Sequence, residues 1–281
     1  MLRPVGDTVG YELDGAVATL TLDRPQRLNA IVPALIDDLG AALDRAEADD
    51  AVHAIRLRGA GRSFCAGYDI EWGAQAMKEA EGGAAWDPMA DYRMMSRFVA
   101  AYMRLWRSPK PVIAQVHGHC VGGGTDFALC SDLIVCADDC RIGYPPARVW
   151  GVPTSMLWAQ RIGLERARRL LFTGDSIDGL TAVEWGLATE AAPLADLDEA
   201  FERLLERIAR LPVNQLVMHK LAINAPLLAQ GLHGNQVMSV FFDGIARHTP
   251  EGYEFAREAA RDGFREAVRG RDEPFGDHGL S

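Results

Sequence analysis

The feature that most constrains the fold is a glycine-rich turn set between an apolar strand and a helix. Val112 to Val116 reads as a buried strand, and it runs into His117-Gly118-His119-Cys120-Val121-Gly122-Gly123-Gly124-Thr125-Asp126. Ala128 to Cys130 continues the helix that begins there, and Leu133 to Cys136 gives the next strand. Consecutive glycines let the backbone come close to a ligand, and a helix start presents N–H groups without partners. Such a turn favours an oxyanion. Triple glycine also serves tight turns and close helix contacts, so the pattern alone leaves those readings open. The segment is neither G-x-x-x-x-G-K-[ST] nor G-x-G-x-x-G in its proper context, which disfavours nucleotide phosphate as its direct ligand.

A similar order occurs upstream. Val9 to Leu22 alternates apolar and polar residues around Asp14-Gly15, as a tight hairpin would, and Pro25 ends its second strand. Ile31 to Ala48 carries Leu35, Ile36, Leu39 and Leu43 at helical spacing. Ala54 to Leu57 then reads as a buried strand entering the loop Gly59-Ala60-Gly61, followed by Arg62-Ser63-Phe64-Cys65-Ala66-Gly67-Tyr68-Asp69-Ile70. Met94 to Trp106 suits a helix that Pro109 and Pro111 close, and Leu164 to Phe172 and Leu180 to Trp185 suit short helices. Alternating β and α elements imply a layered α/β core. No strand-like run follows Asp196, so we expect a core over residues 1–195 and a helical region over 196–281. Ala74 to Ala90, rich in Ala, Gly and Glu, is the expected mobile loop.

A chain of 281 residues with 48% hydrophobic residues can bury a substantial core. Its apolar stretches are too short to span a bilayer, and Met1 to Asp7 lacks the apolar run of a signal peptide, so a soluble cytoplasmic protein is expected. Five cysteines, an odd number without C-x-x-C, read as reduced thiols and argue against a disulfide framework or a zinc site. A net charge of -10 disfavours nucleic acid, although a local basic patch can still bind a phosphorylated ligand. G-x-S-x-G and H-E-x-x-H are both absent. His119-Cys120 is a poor base and nucleophile, because adjacent strand residues point to opposite faces.

The two glycine-containing elements, with Arg24-Pro25-Gln26-Arg27-Leu28-Asn29-Ala30, Pro109-Lys110-Pro111-Val112-Ile113-Ala114, Cys130-Ser131-Asp132 and Leu171-Phe172-Thr173-Gly174-Asp175, closely resemble the enoyl-CoA hydratase/isomerase (crotonase) family. The resemblance runs from the N-terminal hairpin to Leu187. It implies a spiral of βαβ turns with C-terminal helices packing across a homotrimer or a dimer of trimers. It also implies an acyl-CoA substrate that brings its own coenzyme A, with no separate cofactor and no metal. In the family, the residue after the Ala-Gly pair and the middle glycine of the triplet donate N–H groups to the thioester oxygen; here those are Tyr68 and Gly123. Ala66, Asp69 and Ile70 would line the pantetheine and adenine path beside Gly122, and Arg27 and Leu28 would approach the nucleotide. Arg27 offers phosphate a fixed charge, or is a solvated strand-end arginine. Arg269 and Arg271 are weaker candidates for that work.

Hydratases of the family use two glutamates, and this chain departs from both. Asp126 stands at the first position, three residues beyond Gly123 on the same helix face, where it would be the acid/base or else a capping or salt-bridging residue. Pro146 stands at the second, and proline has no acid/base function. Tyr144, Arg148, Thr154 and Ser155 are the polar residues nearby. Hydration of an enoyl-CoA is the leading expectation. Isomerisation, thioester hydrolysis, decarboxylation and a non-catalytic acyl-CoA binding subunit remain open. The segment Glu71 to Asp91, with Trp72 and Trp86, is placed to cover an acyl pocket.

Overall fold

The computed structural model describes residues 6–69, 71–73 and 86–276. Strands β1 (Val9–Asp14) and β2 (Val17–Leu22) form the expected antiparallel hairpin, with Gly15 in its turn at φ +53°. Helix α1 (Pro33–Ala48) starts on a proline whose missing N–H costs nothing at that position. Its stripe Leu35, Ile36, Leu39, Ala42, Leu43 and Ala46 is buried, and the helix packs against β1 and β2. Strand β3 (Ala54–Gly59) then pairs parallel with β2.

Helix α2 (Pro88–Arg107) is longer than the expected span from Met94. The extra turns are held by Asp87, whose side chain accepts from Met89 N–H, with Pro88 at the first helical position. The expected loop from Ala74 to Ala90 therefore ends in helix; residues 74–85 of it, like Ile70, lie outside the described residues. Strand β4 (Val112–Val116) is buried on both faces, as a central parallel strand must be. The next elements are short: β5 (His119–Val121), α3 (Gly124–Cys130), β6 (Leu133–Ala137), β7 (Arg141–Gly143), α4 (Trp158–Ile162), α5 (Leu164–Thr173), β8 (Ser176–Ile177), α6 (Gly179–Glu184) and β9 (Glu190–Ala192).

The strands form two sheets. One has six strands in the order β1-β2-β3-β4-β6-β9, parallel from β2 onward; the other has three in the order β5-β7-β8. After β3 and again after β4 the chain leaves the large sheet to add an extended segment to the small one. Cys65 and Cys120 meet there as a parallel bridge, with Cys65 N–H on His119 O at 2.9 Å and Val121 N–H on Cys65 O at 3.1 Å. Ile31 bridges Tyr68 on the other side. The result is a spiral of βαβ turns whose two glycine segments lie side by side. All five cysteines are free and buried.

From Leu197 onward the described residues are helical, in α7 (Leu197–Ala209), α8 (Val213–Ala229), α9 (Leu232–Arg247), α10 (Pro250–Asp262) and α11 (Phe264–Asp272), with a final 3-10 turn. Buried ions dock them on the core. Arg56 of β3 reaches Asp198 at 2.5 Å and Glu202 at 2.7 Å on α7, and Lys220 of α8 reaches Asp132 at 2.7 Å and the carbonyl of Leu105 at 3.0 Å. Helix α9 packs on α2. Phe241 stacks on Tyr92 with centroids 4.6 Å apart, and Arg247 pairs with Asp91. Among the described residues no helix is long and apolar enough to cross a membrane.

Candidate active site

The site sits where the two glycine segments meet. Gly67 adopts φ +93°, a conformation that an L side chain resists, and it turns the chain so that Tyr68 follows with its N–H directed away from the bridge to Ile31. That bridge uses the neighbours instead: Ile31 N–H donates to Gly67 O at 2.8 Å and Asp69 N–H to Ile31 O at 2.9 Å. Across from it Gly123 caps α3. The second glycine requirement is at Gly124, where a Cβ would lie 2.2 Å from the carbonyl oxygen of Cys65. Only a bare backbone lets α3 start this close to the Cys65 segment.

Among the described residues no acceptor pairs with the N–H of Tyr68 or of Gly123. The two are close neighbours. A methyl group placed on Gly67 would be 3.5 Å from the Gly123 nitrogen, and one placed on Gly123 would be 2.7 Å from the Tyr68 ring. Unsatisfied N–H groups this near one another are the donors expected of an oxyanion site. The Tyr68 side chain points to its own partners: Tyr102 OH donates to Tyr68 OH at 2.9 Å, and the ring meets Phe98 edge-on at 5.2 Å. Trp72 also packs on Phe98, with centroids 5.5 Å apart. Burial holds both phenols above their ordinary pKa, so they are neutral near pH 7.

Asp126 lies on α3 and is 1% exposed. Its Oδ1 accepts from Ser155 N–H at 3.2 Å, and its Oδ2 faces Thr154 Oγ1 at 3.4 Å. Burial raises its pKa to about 6, while the Ser155 and Thr154 contacts act to lower it and the nearby charge of Asp243 adds to the rise. A carboxyl with both protonation states accessible near neutral pH can give and take a proton. Pro146 lies against the turn beside it, with its Cγ 3.3 Å from where a Gly122 Cβ would stand. Proline thus fills the flank of the oxyanion turn.

The remaining expected residues fall around this centre in different ways. Leu28 and Ala66 are joined backbone to backbone, Ala66 N–H donating to Leu28 O at 3.0 Å. Arg27 is exposed, and both its terminal nitrogens reach Glu71 carboxylate oxygens at 2.8 Å. Asp69 is 6% exposed and turned inward, bonded to Arg24 at 2.9 Å and accepting from the N–H groups of Glu71 and Trp72. Its carboxylate serves the turn. Arg148 is committed to Thr173 O at 2.9 Å, Asp272 at 2.9 Å and the face of Phe275. Arg269 and Arg271 pair with Glu266 and Asp272. His119 faces Ser63 and Cys120 is buried towards Gly124 O, so the two diverge. Among the described residues there is no cluster of His, Cys, Asp and Glu suited to a metal ion.

Sequence reasoning missed the groups behind Asp126. Gln236, Ser239 and Asp243 of α9 are buried and reach the loop that carries Thr154 and Ser155. Their signal in the sequence is a polar set at i, i+3 and i+7 on the same face as Leu232 and Val240.

A family model described as enoyl-CoA hydratase/isomerase matches residues 12–252. A crystal structure of enoyl-CoA hydratase from Mycobacterium smegmatis superposes with a TM-score of 0.92 at 52% identity, covering 98% of this chain and 96% of that one. A protein of Rhizobium meliloti named "probable enoyl-CoA hydratase" is 35% identical over 80% of this chain and 86% of its own length. The hydroxycinnamoyl-CoA hydratase-lyase of Pseudomonas fluorescens is 32% identical over 68% of this chain and 69% of its own. The chain belongs to the enoyl-CoA hydratase/isomerase family.

Proposed function

We propose that this protein hydrates 2-enoyl-CoA thioesters, with the Tyr68 and Gly123 N–H groups on the thioester oxygen and Asp126 as the acid/base. Water adds at the β-carbon, the electron pair of the double bond moves towards the thioester, and negative charge develops on its oxygen. Two fixed donors at that oxygen each lower the barrier by about 3 kcal/mol. Asp126 takes a proton from the attacking water and returns one to the α-carbon as the enolate collapses. The observation that carries this reading is the Asp126 carboxyl, sealed from solvent on the helix that Gly123 caps and pushed by that burial up to about 6. Coenzyme A arrives as part of the substrate, so the reaction calls for no further cofactor or metal. Gly122, Ala66 and Asp69 flank the pantetheine path, and Arg27 with Leu28 receives the nucleotide.

Purified protein is to be incubated with 2-enoyl-CoA thioesters of graded chain length and the products identified by mass. Gain of one water, lost in Asp126→Asn, supports hydration. No product on any chain length, together with unchanged behaviour of Asp126→Asn, removes it. Pro146 favours one second reading, isomerisation, because a single carboxyl can move a proton between two carbons without a partner to hold water. Its product has the mass of the substrate.

The same reading makes the protein a homotrimer or dimer of trimers, working in the cytoplasm on fatty acyl chains, with no nucleic acid or membrane partner. Support for assembly comes from apolar side chains left open on several helices, among them Phe172 at 84% exposure and Ile223 at 73%. Light scattering of the purified chain tests the stoichiometry.

A further inference from the structure

Three polar side chains of α9 lie on one face and bond to successive backbone groups of one loop. Asp243 accepts from Val152 N–H at 3.4 Å, Ser239 Oγ donates to Pro153 O at 2.6 Å, and Gln236 Nε2 donates to Ser155 O at 3.0 Å. All three are nearly sealed from solvent, at 6%, 2% and 3% exposure. The same loop presents Thr154 Oγ1 and Ser155 N–H to Asp126. Ser155 thus has its carbonyl tied to α9 and its N–H tied to the carboxylate. The residue after it, Met156, sits at φ +56°, a conformation that a non-glycine residue resists and that persists only where its surroundings enforce it. Asp243 is held in turn by Arg247, which also pairs with Asp91 of α2.

We propose that the stripe Gln236, Ser239 and Asp243 is the positioning element of this site, fixing the loop from Val152 to Ser155 so that Asp126 is aimed and held by its two donors. Removal of a buried hydrogen-bonding partner frees the loop, because nothing else on α9 reaches its carbonyls among the described residues. Asp126 then loses the contacts that oppose the effect of burial. The other titratable groups facing it from the packed elements do not take over that task. Cys65, Tyr68, Tyr102, Cys120, Cys130 and Tyr144 are all raised by burial and neutral. Asp243, countered by Arg247, adds negative charge that pushes the same way.

The inference rests on Asp126 being the acid/base of the reaction, but its test is read without turnover. Protein labelled with carboxyl carbon-13 in aspartate is titrated by NMR, with the Asp126 signal assigned by its absence in Asp126→Asn. Gln236→Met and Ser239→Ala are expected to raise the Asp126 midpoint by about half a unit or more, and Ser239→Thr, which keeps the hydroxyl, to restore it. With substrate, the first two lower kcat and leave KM unchanged. Val240→Ala is the packing control: it lowers Tm and leaves the midpoint in place. Should Gln236→Met fail to fold, the Ser239 pair carries the test. An unmoved midpoint in folded Ser239→Ala overturns the proposal, as does an equal shift in Val240→Ala. Turnover retained by Asp126→Asn would remove the functional reading alone and leave the midpoint result standing.

Discussion

The backbone N–H of Ser155 and the carboxylate of Asp126 are hydrogen-bonded at 3.2 Å where the aspartate is 1% exposed. One backbone donor and one distant hydroxyl do not offset that burial, so the pKa stands at about 6 against an ordinary 3.8. Between those two values the folded chain holds a proton that the unfolded chain has released. The stability linked to this group is therefore fully present below about pH 4 and falls as pH rises through 6. Asp126→Asn is expected to be more stable than the parent at pH 8, by up to about 3 kcal/mol, and equal to it at pH 4. Urea melts at the two pH values check this, and the same variant should lose about 100-fold or more in kcat.

In the proposed oxyanion site Tyr68 contributes its N–H, whereas Gly67 sets the direction of that N–H. Tyr68→Phe is expected to keep kcat within about threefold and to lose about 1 kcal/mol of stability with the Tyr102 hydrogen bond. Gly67→Ala forces a side chain onto φ +93° and against the Val121 carbonyl at 3.0 Å. It should lower kcat about 100-fold as the donor is displaced. Steady-state kinetics beside Tm for both variants would show the contrast; equal kcat losses would place the work in the phenol instead.

The two glycine segments and Asp126 were legible in the sequence because each is a contiguous signal beside an apolar strand. The short strands were not. Strand β5 is three residues long and is pinned by pairing with Arg141 to Gly143, and Cys65 reaches Cys120 across 55 positions of chain, so neither leaves a local alternation to read. The extra turns of α2 depend on Asp87 and Pro88, whose Ala- and Gly-rich neighbours in the sequence read as loop. Gln236, Ser239 and Asp243 escaped notice for a different reason: polar residues on a helix are ordinarily solvent-facing, and only the fold turns this face inward.

Arg27 and Glu71 make a bidentate pair, but the arginine and glutamate side chains are 48% and 72% exposed, so the pair adds little to stability. Arg27→Ala should leave Tm unchanged. It is expected to raise KM for an acyl-CoA by about three- to tenfold and to leave KM for the matching acyl-pantetheine unaltered, since only the former carries the nucleotide. The difference should shrink at high salt. Glu71→Gln frees the guanidinium and should lower KM for the acyl-CoA. Equal KM changes for both thioesters would move the phosphate contact elsewhere.

Pro146 flanks the oxyanion turn, its Cγ 3.3 Å from where a Gly122 Cβ would lie, at the position where the resemblance implies a second carboxylate. The 3-10 turn from Pro145 to Arg148 needs no proline at its second residue, and the backbone N–H that Pro146→Glu would add lies at a helix start, where donors are ordinarily unpaired. Pro146 is half-buried beside Gly122, so a carboxyl placed there would stand at the flank of the oxyanion turn. Pro146→Glu is therefore expected to raise the hydration rate about tenfold, short of the roughly 100-fold or more that a well-placed acid/base supplies. If hydration stays flat while isomerisation of a 3-enoyl-CoA proceeds in the parent, the site works with one carboxyl by design and Pro146 is what keeps it so.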